Sequence, residues 1–201
     1  MKTRSNSSSI KALAETAILA ALMIVLQVWC SNIRIGTVTL SFVLIPIVLG
    51  GILQGPLCGW ILGLVFGGVT YFGGLLGMDP FTGTLIAEHP ILTALICFGK
   101  AMAAGVGAAL LYRALRKKNE TLGIWLACMA APIINTGLFI LGALFMVGDT
   151  LNSHYVVQGQ TLVYFVVIVC AGVNFIAEFL INLVCAPVIS RLSRLRQQKK
   201  I

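Results

Sequence analysis

Lys100 lies inside an apolar run, residues 90–111, that carries no other charge. Insertion scales put a lysine at the centre of a bilayer at a cost of about 2.5–3.5 kcal/mol. Such a residue pairs with something or binds something. Three polar residues fall at a comparable depth in later apolar runs: Asn135, Asn174 and Glu178. A cation and two amides converging at mid-membrane can hold an anionic, hydrogen-bonding solute. The competing arrangement is a buried Lys100–Glu178 pair, each neutralising the other. The two are compatible if Glu178 releases Lys100 when ligand arrives. Asn174, Glu178 and Asn182 are spaced by four, which places them on one face of a helix. Asn182 and Glu15 both lie nearer the inner side, and a bond between them is expected. Tyr71 and Thr70 near the outer end of a helix either line the mouth of a site or pack ordinarily.

The elements that must position these residues are apolar helices. The chain has 201 residues, of which 59% are hydrophobic and 10% charged, with mean hydropathy +1.00. Soluble domains carry about 25% charged residues, so an integral membrane domain is expected, without a soluble one. Apolar stretches of about 20 residues span a bilayer as helices. Six fit: residues 11–29, 38–53, 57–76, 90–115, 122–147 and 162–192. Residues 1–9, polar and serine-rich, are expected to fray. Residues 10–192 form the six-helix bundle, and 193–201 a basic tail drawn to anionic lipids. The first apolar run follows positive charge like a secretion signal. It is longer than a signal core and no small-residue cleavage site follows, so it is read as a retained helix.

The charge pattern orients the bundle. The net charge of +8 comes from Lys2, Arg4 and Lys11, from Arg113, Arg116, Lys117 and Lys118, and from Arg191, Arg194, Arg196, Lys199 and Lys200, with Lys100 and Arg34 apart. These clusters border apolar runs, as cytoplasmic segments do. Both termini are therefore expected in the cytoplasm, and nucleic-acid binding is disfavoured because no contiguous basic face results. Outer connections are then 30–37, 77–89 and 148–161. The latter two are long enough to fold over an outward-facing cavity.

The remaining chemistry-bearing residues point to no catalysis. Six cysteines stand singly, without a Cys-x-x-Cys pair. Glu88-His89 shares a loop with Asp79, but metal-ligand spacing is missing. No phosphate-binding Gly-x-x-x-x-Gly-Lys-Ser/Thr occurs, so a transporter built on this chain must borrow its energy. No cofactor is expected.

Small residues supply the last signal. Ala17 and Ala21 lie four apart in the first helix, leaving a smooth strip for close helix approach, whether within the bundle or against a partner. Ala12, Thr16 and Ala20 make a second such strip. Gly51, Gly55, Gly59, Gly63 and Gly67 recur every fourth residue, a packing groove divided by the Gln54-Gly55-Pro56 break. The pattern Pro46-x-x-x-Gly50-Gly51-x-x-x-Gly55-Pro56-x-x-Gly59-x-x-x-Gly63 resembles the helix 2–3 hairpin of the substrate-binding S components of energy-coupling factor (ECF) vitamin transporters. The alanine-rich first helix, the size and the six-span, N-inside topology agree. Residues 131–142 and 172–182 look most like the pantothenate-type branch.

The resemblance implies a subunit that captures a vitamin outside the plasma membrane of a prokaryote. It implies docking, through alanines of the first helix, onto a membrane coupling subunit joined to two ATPases. Carried onto this chain, Ala17 and Ala21 become the docking alanines. Lys100, Asn135, Asn174, Glu178 and Tyr71 become candidates for the solute site; pantothenate itself has a carboxylate, hydroxyls and an amide. A stand-alone carrier using Glu178 or Glu15 as a proton site is the first alternative. A small intramembrane enzyme is the second, although no convincing nucleophile–base pair is found.

Overall fold

A computed structural model describes residues 2–30, 34–35, 38–39 and 42–198. The described residues are helical apart from connecting turns and a two-residue antiparallel pairing of β1 (Arg34–Ile35) with β2 (Val38–Thr39). Much of the first outer connection, residues 30–37, lies outside the described residues. Five helical stretches are long and apolar enough to cross a membrane: Ser9–Trp29 of α1 (Lys2–Cys30), α3 (Pro56–Leu75), α5 (Pro90–Leu115), α6 (Glu120–Phe145) and the composite Leu162–Arg196. The expected second span is shorter than anticipated. Its helix, α2, covers Leu44–Gln54, roughly 16 Å at 1.5 Å per residue, about half the hydrocarbon thickness.

Local chemistry sets the ends. Pro56, Pro80 and Pro90 each open a helix, where a missing N–H costs nothing. Gly55 separates α2 from α3 with φ +107°, a conformation that disfavours any side chain. Asn119 caps α6 by accepting from the Leu122 N–H at 3.1 Å. The helix of residues 2–30 continues through the serine-rich stretch expected to fray. The two long outer connections contain short helices, α4 (Pro80–Glu88) and α7 (Gly148–His154). The last span begins as α8 (Leu162–Tyr164), widens into a π-helix (Phe165–Gly172) and continues as α9 (Val173–Gln198).

Glycines bring the central helices together. A Cβ on Gly59 would stand 2.5 Å from the Gly105 carbonyl oxygen, and one on Gly63 2.5 Å from that of Ala101. Backbones touch there, so the four-residue repeat is the contact face of α3 on α5. The same pairings show α5 running antiparallel to α3. Gly142 of α6 packs on Ile96, and Gly107 of α5 on Ile134, so α6 runs antiparallel to α5. Gly50 meets Cys58 and Leu62, which folds α2 back along α3.

Both terminal helices reach the same face of the bundle, where Arg196 of α9 meets Glu15 of α1 at 3.0 Å. That contact replaces the expected Glu15–Asn182 bond. Asn182 instead donates to the Glu178 carbonyl one turn back, at 2.8 Å. The basic tail expected from 193 onward continues as helix to Gln198. Its first residue, Ser193, is buried and donates to Glu120 at 2.7 Å.

Candidate functional site

Residues from α1, α3, α4, α5, α6 and α9 line a cavity of about 70 Å³. Its polar floor is Lys100 from α5, Asn135 from α6, and Asn174 and Glu178 from α9. These are the four residues singled out by type and depth, and the fold brings them together. Tyr71 is not among the lining residues. Its hydroxyl donates to the Pro90 carbonyl at 3.3 Å and its ring sits by Phe72 and Phe98. The preceding residue, Thr70, turns into the cavity instead.

Lys100 forms no ion pair with Glu178; the ion pairs among the described residues are Glu88–His154 and Glu15–Arg196. The ammonium lies 5.2 Å from the Phe139 ring centroid and 5.8 Å from that of Phe66. Aromatic faces attract a cation electrostatically at that range. They hold the charge while leaving its three N–H donors directed by no carboxylate.

Glu178 is 1% exposed and Asn135 3%. Glu178 Oε1 accepts from Asn174 Nδ2 at 3.2 Å. Glu178 Oε2, Asn174 Oδ1, Asn135 Oδ1 and Thr70 Oγ1 are buried with no protein partner. Buried polar groups are nearly always hydrogen-bonded in folded proteins, and each exception asks for a cause. Four such exceptions fall on residues that line one cavity.

The roof is α4. Asp79, its first flanking residue, together with Phe81, Thr82 and Leu85, lines the cavity at the end away from Glu178. Thr82 donates to Asp79 Oδ2 at 2.5 Å. At about 70 Å³ the cavity is well below the roughly 300–1,000 Å³ of small-molecule pockets. That roof is tied to α7. Glu88 accepts from Thr150 at 2.5 Å and meets His154 Nε2 at 2.5 Å, and Tyr155 donates to Thr84 at 2.9 Å. The Tyr155 ring lies against Phe81 and stacks on Phe165. The hydrogen bonds to Thr150 and His154 lower the Glu88 carboxyl below its usual range. Sequence spacing gave no sign of this tie, because its partners are 62 to 71 residues apart.

A family model for the substrate-specific component of ECF transporters matches residues 11–190. The chain belongs to that family. Among curated proteins, none matches it. An ECF substrate-specific component is part of a membrane transporter, in keeping with the long apolar helices here.

The first helix of this ECF component also resolves its two small-residue strips. Thr16 and Ala20 turn inward: Thr16 Oγ1 donates to Gln54 Oε1 at 3.0 Å, and Ala20 packs beside Met23 and Leu62. Ala17 and Ala21 point away from the bundle and are exposed, flanked by exposed Leu13 and Ile18. Small side chains therefore occupy an outward face that no other described helix covers. Among the described residues, no cluster of three or more His, Cys, Asp or Glu is placed to hold a metal.

Proposed function

We propose that this chain is the solute-capturing subunit of an ATP-driven vitamin importer in a prokaryotic plasma membrane. It spans the bilayer six times, with α2 in one short crossing and both termini in the cytoplasm. Solute enters from outside beneath α4. Its carboxylate meets the Lys100 ammonium, and its hydrogen-bonding groups meet Asn135, Asn174 and Glu178. Pantothenate suits this arrangement, with one carboxylate at one end and hydroxyls and an amide along the rest.

Energy comes from outside the chain. A membrane coupling subunit packs on the Ala17–Ala21 face of α1, and two ATPases act through that subunit. Support for the capture role rests on one observation above others: a cation and four unpartnered polar atoms converge on a cavity at membrane depth. The test is calorimetric titration of the purified chain with a panel of vitamins. The expected result is saturable binding of a vitamin carboxylate in a 1:1 ratio. Absence of binding by every carboxylate in the panel refutes the assignment of Lys100 and the solute class.

A further inference from the structure

The orphaned atoms on the cavity floor say more than that something binds: they say which hydrogen-bonding sense it needs. Asn174 donates its Nδ2 to Glu178 Oε1, so its amide orientation is fixed and Oδ1 is the atom turned elsewhere; in its ionised form Glu178 accepts only. Glu178 Oε2 and Asn135 Oδ1 are likewise buried with no partner of good hydrogen-bond geometry, although the Asn135 side chain lies near enough to the Glu178 carboxyl to act on it. The floor thus offers one cation and at least three acceptors.

We propose that Glu178 is the specificity-determining residue of this site, and that the ligand is a carboxylate bearing at least two O–H or N–H donors. This rests on the solute site proposed above and narrows its ligand class. Lys100 takes the anionic end, while Glu178 Oε2 and Asn174 Oδ1 take the donors. A ligand without donors leaves a buried carboxylate oxygen and amide oxygen unpaired. If water meets those oxygens beforehand, such a ligand displaces it without replacing its bonds, which costs affinity. Sites built to bond a hydroxyl or N–H reject analogues that lack it far more strongly than apolar pockets reject a missing methylene. A simple fatty carboxylate satisfies Lys100 and fails at Glu178.

The test uses matched pairs on the full-length purified protein. One pair is pantothenate and its dideoxy analogue, N-(3,3-dimethylbutanoyl)-β-alanine. The other is biotin and N,N′-dimethylbiotin, which lacks the ureido donors. The expected result is a preference of about a hundredfold for the donor-bearing member of whichever pair binds, about tenfold per donor lost. Glu178→Gln is expected to cut that preference to about tenfold, since an amide can offer an acceptor but no charge. Affinities equal within about threefold on the wild-type protein overturn the inference while leaving the carboxylate site intact. A preference that Glu178→Gln leaves unchanged removes Glu178 from the role. If neither member of either pair binds, this inference falls, while the solute assignment stands or falls with the wider vitamin panel. Should Glu178→Gln fail to fold, the wild-type comparison decides alone.

Discussion

Lys100→Met separates the two roles that its position allows. In the folded protein the ammonium lies 5.2 and 5.8 Å from two phenylalanine ring centroids and makes no ion pair with Glu178. Removing it forfeits cation–π attraction of about 0.5–2 kcal/mol per ring. It also removes the cost of holding a charge at membrane depth, about 2.5–3.5 kcal/mol. The two effects are of similar size and opposite sign, so thermal stability without ligand should change little. Affinity should not be spared. A charge-assisted hydrogen bond to a ligand carboxylate is worth about 1.5–3 kcal/mol, so its loss weakens binding roughly tenfold to a hundredfold. Calorimetry and a thermal melt on the same preparation measure both quantities. If Lys100 instead neutralised Glu178, the substitution would strand a buried carboxylate at about 3–5 kcal/mol. The melt would drop sharply, and Lys100→Met with Glu178→Gln would restore it. That result, or unchanged affinity, refutes the reasoning.

Other consequences are as specific. Gly59→Ala places a methyl 2.5 Å from the Gly105 carbonyl and should destabilise the α3–α5 contact by about 1–3 kcal/mol, whereas Gly73→Ala, on the same helix with nothing within 4 Å, should not lower the melting temperature. Glu88 has a folded-state pKa below its usual value of 4.5, so the α4–α7 tie is fully present above that pH and fades as pH falls through the lowered value. Hydrogen-exchange protection in α4, taken relative to the intrinsic amide rate at each pH, should therefore be retained at about pH 5 and fall below about 4.5; Glu88→Gln should abolish that fall, and wild-type protection unchanged down to about pH 3 would contradict the assignment. Ala17→Trp should prevent co-purification with the coupling subunit and ATPases while leaving solute binding near normal, and an intact complex would show that the docking face lies elsewhere.

The sequence discloses the long elements and the deep polar residues, because both follow from bilayer physics. The 90–115 helix is bounded by a proline and a basic cluster, and its lysine stands out against apolar neighbours. The glycine repeat is readable because only close packing explains small residues at every fourth position. What the sequence concealed depends on distant contacts. Helices α4 and α7 are short and contain glycine, threonine or asparagine, so their local propensity is weak; the Glu88–Thr150 and Tyr155–Thr84 bonds join them only in the fold. The choice between Thr70 and Tyr71 is one of helical rotation, which cannot be fixed until packing partners are known. Asn182 was expected to reach Glu15, but its own helix offered a carbonyl four residues back, and a continuing α9 delivered Arg196 to Glu15.

Transport in a defined membrane tests the central claim most directly. The chain would be reconstituted in proteoliposomes alone, and separately with the coupling subunit and two ATPases. Accumulation of the solute selected by the binding panel would be followed with an ATP supply and with an imposed proton gradient. The account predicts accumulation only in the complete assembly, dependent on ATP hydrolysis and indifferent to the gradient. Accumulation by the chain alone, driven by protons, would contradict it and make Glu178 the proton site of a secondary carrier.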